Sequence, residues 1–309
     1  MFMWFDQPPY RYNLWVRPES DWFSETHTDD LLFSYRVQET IFSGRTRFQR
    51  VDILRIKPFG TTLFLDGKLQ SAEVDEAVYH ECLVHPGIQV HPSPKRVFVA
   101  GGGEGATLRE VLRYPVDECV MCDIDSELVE LCRIHLPLWS AGAFGDPRAR
   151  LLFADARATL ADTPDKYDVI ISDLPEPLEE GPAQLLYTRE FYEIVRDRLS
   201  DDGVFAAQVG SADPLYPDLA ACVAMTLAGV FPVVGVYTAY VFSFQLLWAF
   251  VIATNGLPLV PEGFREVPGL SHYNHEIHKA MFALPGHMRR ALAEKGRILT
   301  DEKPFAWTA

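Results

Sequence analysis

Four carboxylates stand where strands should end. Glu104 lies in the run Val97-Phe98-Val99-Ala100-Gly101-Gly102-Gly103-Glu104-Gly105, and Asp123, Asp155 and Asp173 follow at the intervals of successive strand ends. The run reads as an apolar strand, a glycine-packed turn and the opening of a helix. Glycines such as Gly101 and Gly103 let backbone N–H groups approach a ligand closely, and a helix N-terminus adds a positive field. That arrangement suits a nucleotide-like cofactor. Asp123 follows Gly103 by about twenty residues, the interval at which a carboxylate accepts both ribose hydroxyls. Asp123 can alternatively cap a helix, although Asp125 is better placed for that. Asp155, with Ala156, can accept a hydrogen bond from an adenine amino group or cap its own helix.

The fourth strand end reads Ser172-Asp173-Leu174-Pro175-Glu176-Pro177. Asp173 would face the cleft as a general base toward an ammonium group, with Glu176 holding a second cationic centre. The prolines stiffen this loop. Upstream, Tyr79 and His80 begin a helix near the sheet, among acids. His80 is either a hydrogen-bonded core histidine or a ligand contact. His272, His275 and His278 share a helical spacing. A solvated face accounts for them better than a metal site, since Glu276 is their one acidic partner in register. No metal is expected.

These side chains need a scaffold. Residues 1–30 are rich in Trp, Tyr, Pro and Asp and read as irregular. Residues 34–38 and 49–56 alternate as strands, and Asp66-Gly67 makes a tight turn, so 31–90 reads as a small antiparallel β domain with a linking helix at 75–88. Residues 91–94 carry paired prolines and form the linker. Strands at 96–100, 118–124, 149–153, 167–172 and 204–208 then alternate with helices at 107–114, 126–135 and 188–199. The expected fold is α/β: a Rossmann-like, class I methyltransferase-type doubly wound sheet over 91–309. Ligands of such sheets sit beyond the carboxyl ends of the strands.

Composition narrows the partners. The chain has 309 residues and a net charge of −15, which disfavours nucleic acid and anionic membranes and is compatible with either a cationic substrate or plain solubility. Five scattered cysteines imply a reducing, cytoplasmic setting. Cys119 and Cys122 form a C-x-x-C within a buried strand and have no second pair. Residues 219–260 carry no charge, but Gly229, Pro232, Gly235 and Gln245 break the run, which reads as a helix and two buried strands.

The motifs L-D-G-K-L-Q-S-A-E-V-D-E-x-x-Y-H-E at 65–81, G-G-G-E-G-A-T-L-R-E-V-L at 101–112, C-D-I-D at 122–125, D-A at 155–156 and D-L-P-E-P at 173–177 resemble those of the polyamine aminopropyltransferases, the spermidine synthase family. The resemblance runs from about 49 to 254, and is nearest to the thermospermine synthase and triamine/agmatine aminopropyltransferase branch. It implies transfer of an aminopropyl group from decarboxylated S-adenosylmethionine to a polyamine, by a homodimer or homotetramer. On it, Gln49 and Gln70 lie near the thioadenosine and aminopropyl groups, and Pro182 lines the adenine pocket. Asp123 takes the ribose, and Asp155 with Ala156 the adenine. Glu104 binds the aminopropyl amine, Asp173 accepts the proton, and Tyr79 and His80 contact the polyamine. Two positions depart from the family pattern. Glu176 stands for the usual Asp, and Phe244 stands where putrescine-using members have a tyrosine. Both favour a longer acceptor, with spermidine converted to thermospermine. The same fold also serves methyltransferases. Their acid two positions before the first glycine is here Val99.

Overall fold

A computed structural model of the chain describes residues 22–28, 31–177 and 183–306. Two sheets organise it. The first is antiparallel and follows chain order: β1 (Trp22–Thr28), β2 (Leu31–Arg45), β3 (Arg50–Ile56), β4 (Gly60–Leu65) and β5 (Lys68–Ala72). Between β4 and β5, Asp66 and Gly67 both take positive φ, 48° and 81°. This is the two-residue hairpin geometry that matches strand twist.

β1 corrects the sequence reading, which left residues 22–28 in an irregular segment. Phe23 packs on Phe64 with ring centroids 4.5 Å apart, and the Tyr35 hydroxyl donates to Glu25 at 2.9 Å. Both partners come from other strands, so β1 is stabilised by contacts that its own sequence does not display.

The second sheet has seven strands: β6 (Arg96–Gly101), β7 (Glu118–Asp123), β8 (Ala149–Phe153), β9 (Tyr167–Asp173), β10 (Leu199–Ser211), β11 (Val233–Val241) and β12 (Leu246–Thr254). Their order is β11-β12-β10-β9-β6-β7-β8, parallel from β8 to β10, with β12 antiparallel to both its neighbours. Helices cover both faces, which is why β6 and β9 are almost continuously apolar. Phe98 and Ile170 feed one core, while Val97, Val99, Val169 and Ile171 feed the other.

The helix α1 (Glu76–Val90), expected to belong with the small domain, lies across this sheet. A Cβ on its Gly87 would stand 3.1 Å from that of Ala206 in β10. The remaining helices are α2 (Ala106–Val111), α3 (Ser126–His135), α4 (Pro137–Ser140), α5 (Ala156–Asp162), α6 (Arg189–Arg198), α7 (Asp218–Ala228), α8 (His275–Met281) and α9 (Gly286–Glu294). The chain runs outward through β6, β7 and β8, then returns to β9 on the other side of β6. That reversal opens a crevice at the carboxyl ends of β6 and β9.

The uncharged stretch forms α7 and the β11–β12 hairpin, as its breaks imply. Among the described residues, no helix is long and apolar enough to cross a membrane. The histidine triplet does not form a solvated face. His278 is fully buried, with Nε2 donating to the Leu259 carbonyl at 2.9 Å and Nδ1 accepting from the Tyr273 hydroxyl. Its neighbours Tyr273 and Met281 are core residues, and burial depresses its pKa. Among the described residues, no group of three His, Cys, Asp or Glu is arranged to hold a metal ion. Cys119 and Cys122 are buried in β7.

Candidate active site

The turn after β6 is locked to the end of β9. Gly101 pairs with Asp173 in the parallel register, and the Gly102 N–H donates to the Asp173 carbonyl at 3.0 Å. Gly101 sits at φ 82°, and a Cβ there would come within 2.2 Å of that carbonyl. Only glycine fits this close approach. The carboxylate of Asp173 faces the cleft with a donor on each oxygen. Tyr79 donates to Oδ1 at 3.0 Å, and Thr107, at the start of α2, donates to Oδ2 at 2.6 Å. Tyr79 is held protonated well above its ordinary range, by burial first and then by Asp173. Thr107 was not singled out by the sequence reading, although it stands inside the glycine motif.

Glu104 follows in the same turn. Its Oε1 lies 2.6 Å from His80 Nε2, and its Oε2 is buried without a hydrogen-bond partner. On the far side, His80 Nδ1 faces the Glu76 carbonyl at 2.7 Å and the Glu76 carboxylate at 3.0 Å. Arg109 clamps Glu76 through two hydrogen bonds of 3.0 and 2.9 Å. His80 Nδ1 is thus hydrogen-bonded, while Nε2 lies within ion-pair distance of Glu104 without hydrogen-bond geometry, a surrounding of two acids that an imidazolium suits. Burial works against that charge, but Glu104 and Glu76 outweigh it and hold His80 protonated well above its usual range. His80 is buried, and its Nε2 points at Glu104.

Asp123 ends β7. Its Oδ1 accepts from the Asp125 N–H at 2.8 Å, and its Oδ2 lies where a Cβ on Gly103 would come within 2.8 Å. Burial pushes the Asp123 carboxyl up to about 6, with Asp125 and Asp173 adding to the shift. The cap of α3 is Asp125, which accepts from the Leu128 N–H at 3.0 Å. Thr46 and Gln49 donate to its other oxygen at 2.6 and 2.9 Å, tying the small domain to this loop. Asp155 is exposed and caps α5 through the Ala158 N–H at 3.0 Å, so its capping alternative is realised. Ala156 is buried beside it. Pro182 lies outside the described residues.

Gln70 donates to the Lys68 carbonyl and, with Asp75, Tyr79, Ser243 and Phe244, lines a recess beside the cleft. Phe244 sits edge-on to Tyr79 at 6.0 Å and packs on Trp248 at 4.8 Å. The loop carrying Glu176 is held by Gln208, which donates to the Leu174 carbonyl at 2.6 Å, and by Tyr187, which donates to the Pro175 carbonyl at 3.1 Å. Glu176 is pushed up to about 7, by burial first and with Glu25 and Asp213 adding to it, while Lys68 pulls it down. The sequence reading missed Glu25, Lys68 and Asp213 as neighbours of this acid. Lys68 was visible inside a quoted motif, whereas Glu25 carried no signal.

The crevice at the strand ends is thus lined by acids, with a clamped carboxylate at its centre, in an α/β fold. Residues 76–262 match the spermine/spermidine synthase domain, and residues 21–73 match the spermidine synthase tetramerisation domain. The chain is 43% identical to polyamine aminopropyltransferase 2 of Pseudomonas aeruginosa, over 88% of this chain and 81% of that one. It is 41% identical to a polyamine aminopropyltransferase of Aeropyrum pernix, over 92% and 95%. It is also 41% identical to a thermospermine synthase of Arabidopsis thaliana, over 76% and 70%. The crystal structure of spermidine synthase from Thermotoga maritima superposes with a TM-score of 0.82 at 33% identity, covering 88% of this chain and 94% of that one. A spermidine synthase in complex with the transition-state analogue AdoDATO gives 0.83 at 33% identity, over 89% and 96%. The chain belongs to the spermine/spermidine synthase family and is a transferase of the polyamine aminopropyltransferase type. The fold is the methyltransferase-like one of that family, which uses decarboxylated S-adenosylmethionine as co-substrate.

Proposed function

We propose that this enzyme moves the aminopropyl group of decarboxylated S-adenosylmethionine onto spermidine, giving thermospermine and methylthioadenosine. The observation that carries the donor half is the buried, unpartnered Oε2 of Glu104, inside a glycine turn whose neighbour Asp123 can take a ribose. A buried carboxylate oxygen without a partner is costly, and a ligand ammonium removes that cost. The carboxylate of ordinary S-adenosylmethionine would stand beside the same acid and be repelled.

Chemistry then needs little beyond placement. A sulfonium activates its attached carbon, so the acceptor amine displaces the thioether directly. A C–N bond forms, a C–S bond breaks, and its electron pair stays on sulfur as methylthioadenosine leaves. The attacking amine must first be neutral. Asp173 takes its proton, and the two hydroxyls on Asp173 hold the carboxylate in one orientation. Gln49, Asp155 and Ala156 complete the thioadenosine side in this reading, Gln70 stands toward the aminopropyl group, and Gly101 and Gly103 give the close backbone. Tyr79, His80, Glu176 and Phe244 line the polyamine side.

Support for a long acceptor is Phe244. It offers Tyr79 a ring edge and no hydroxyl, so a short diamine finds no anchor for its far amine. The alternative is a shorter amine, putrescine or agmatine. The deciding experiment supplies labelled decarboxylated S-adenosylmethionine with agmatine, putrescine, spermidine and spermine, compares kcat/KM, and resolves the product isomers. A preference for putrescine overturns the acceptor assignment. Methylation of any amine from S-adenosylmethionine, with adenosylhomocysteine in place of methylthioadenosine, overturns the donor assignment.

The antiparallel domain that matches a tetramerisation domain supports a homodimer or homotetramer. Five free, buried cysteines support a reducing cytoplasmic setting.

A further inference from the structure

Asp75 stands at the N-cap position of α1, where an aspartate ordinarily accepts from the N–H groups of the first turn. Its side chain makes no such bond. Its Oδ2 accepts instead from the Ser243 N–H at 2.7 Å, 168 residues away in sequence, in the turn at 242–245 that joins β11 to β12. Asp75 is buried, and the chain around it is fixed. The Val74 N–H donates to the Phe59 carbonyl at 3.1 Å, and the Asp75 N–H to the Ala72 carbonyl at 3.1 Å. The residues flanking Ser243 are aromatic, and both pack on groups near α1. Phe242 meets Phe59 edge-on at 5.6 Å. Phe244 meets Tyr79 edge-on at 6.0 Å and packs on Trp248 at 4.8 Å. Within the turn, the Gln245 N–H donates to the Phe242 carbonyl at 3.0 Å, with Gln245 in the left-handed region at φ 58°. A non-glycine residue keeps that conformation where its surroundings hold it.

We propose that Asp75 is a positioning residue for acceptor choice: its hydrogen bond to the Ser243 N–H holds the Phe244 ring against Tyr79, so that the wall an acceptor meets is set before the amine arrives. This rests on the aminopropyltransferase reading of the cleft. Tyr79 is the shared part, since its ring takes Phe244 and its hydroxyl donates to Asp173. Asp173 keeps its donors from Tyr79 and Thr107 when the turn loosens, so the chemical step is spared. The other oxygen of Asp75, Oδ1, and the Ser243 hydroxyl are buried without hydrogen-bond partners, and with Tyr79 and Phe244 these two residues line the recess. A direct ligand for an acceptor ammonium at that place would need the carboxylate charge. A tether needs only an acceptor oxygen, which the asparagine amide also offers.

The test compares the wild-type enzyme with Asp75→Ala, which removes the tether, and Asp75→Asn, which keeps an acceptor oxygen without the charge. Asp75→Ala is expected to lower kcat/KM for spermidine relative to putrescine by about tenfold, through KM and not kcat. Asp75→Asn is expected to keep the wild-type ranking. In a Phe244→Ala background, which lacks the wall, adding Asp75→Ala is expected to change the ranking no further. An unchanged ranking in Asp75→Ala, an asparagine variant as impaired as the alanine one, a loss confined to kcat, or additive effects in the double variant overturns the proposal. Calorimetric binding of methylthioadenosine, expected to be unaltered, shows that each variant is folded. Asp75→Ser, which suits the start of α1 but is too short to span to Ser243, replaces the alanine variant if that one does not fold. Hydrogen exchange reads the tether in the wild-type enzyme itself: the Ser243 amide is expected to be protected, and rapid exchange overturns the proposal. Titrating the amines into each enzyme saturated with methylthioadenosine gives the ranking without turnover. If the wild-type enzyme binds amines but transfers nothing, the transferase reading falls and the Asp75 tether is still judged; if it binds no amine, both fall.

Discussion

The two ends of the cleft are built differently. The proposed donor end comes from neighbouring strand ends of one sheet: the β6 turn with Glu104, β7 with Asp123 and β9 with Asp173. Each side chain is placed by its own strand and the helix that follows, and backbone hydrogen bonds between neighbouring strands set the spacing. The proposed acceptor end is gathered from β5, α1, the loop after β9 and the β11–β12 hairpin, which lie far apart in sequence. Its residues meet only because a second sheet packs over the first. A site built along one sheet edge keeps its chemistry when the second domain varies, whereas a site built between domains changes ligand preference with single substitutions.

Variants at the donor end should therefore alter rate or cofactor affinity and leave acceptor ranking intact. The largest effect is expected at Asp173. Asp173→Asn should lower kcat by ~10²–10⁴-fold while methylthioadenosine binding measured by calorimetry stays near wild type. A loss under about tenfold would remove Asp173 as the base.

Next comes Asp123→Ala, which should weaken methylthioadenosine by about 1.5–3 kcal/mol without reordering the amines. A pH signature accompanies it. Burial raises Asp123 to about 6, so the ionised acceptor is present above that value and is lost below it. Wild-type affinity should fall as the pH drops from about 7 to 5, and the alanine variant should lack that limb. A change in amine ranking at this position would break the separation between the two ends.

At the acceptor end, Phe244→Tyr should move preference toward putrescine by up to about tenfold, the worth of one hydrogen bond, with methylthioadenosine affinity unchanged. The product ratio in a mixture of amines measures it. A fall in cofactor affinity instead would show the two ends to be one coupled unit.

The smallest signal is expected from His80, which sits where the ends meet. Its folded-state pKa is raised above the unfolded value of 6.5, because Glu104 and Glu76 outweigh the cost of burial. The stabilisation is thus complete below about 6.5 and is lost as the pH rises through the folded value, each unit of displacement being worth about 1.4 kcal/mol. Thermal unfolding of the wild type between pH 6 and 9 should decline on the alkaline side, and His80→Gln should flatten that decline.

Local order governs what can be read in advance. The glycine turn, the strand-end acids and the alternation from β6 to β10 obey short-range rules, and the same rules picked Asp125 as the cap of α3, whereas for Asp155 they left capping of α5 and an adenine contact both open. Thr107 escaped notice because a threonine at a helix start has an ordinary explanation, and its bond to Asp173 crosses from β6 to β9. His278 escaped because helical spacing says which residues share a face, not which face meets the core.

Sequence alone determined the doubly wound sheet and the acids at its strand ends, since strand periodicity and turn stereochemistry act over a few residues; the sulfonium-bearing nucleotide followed from the resemblance of its motifs to a family. The tertiary structure alone decided that residues 22–28 form a strand, that Tyr35 donates to Glu25, and that His80 joins Glu104 to Glu76 and Arg109. Those pairings depend on electrostatics and packing between segments distant in the chain, and no short-range rule announces them.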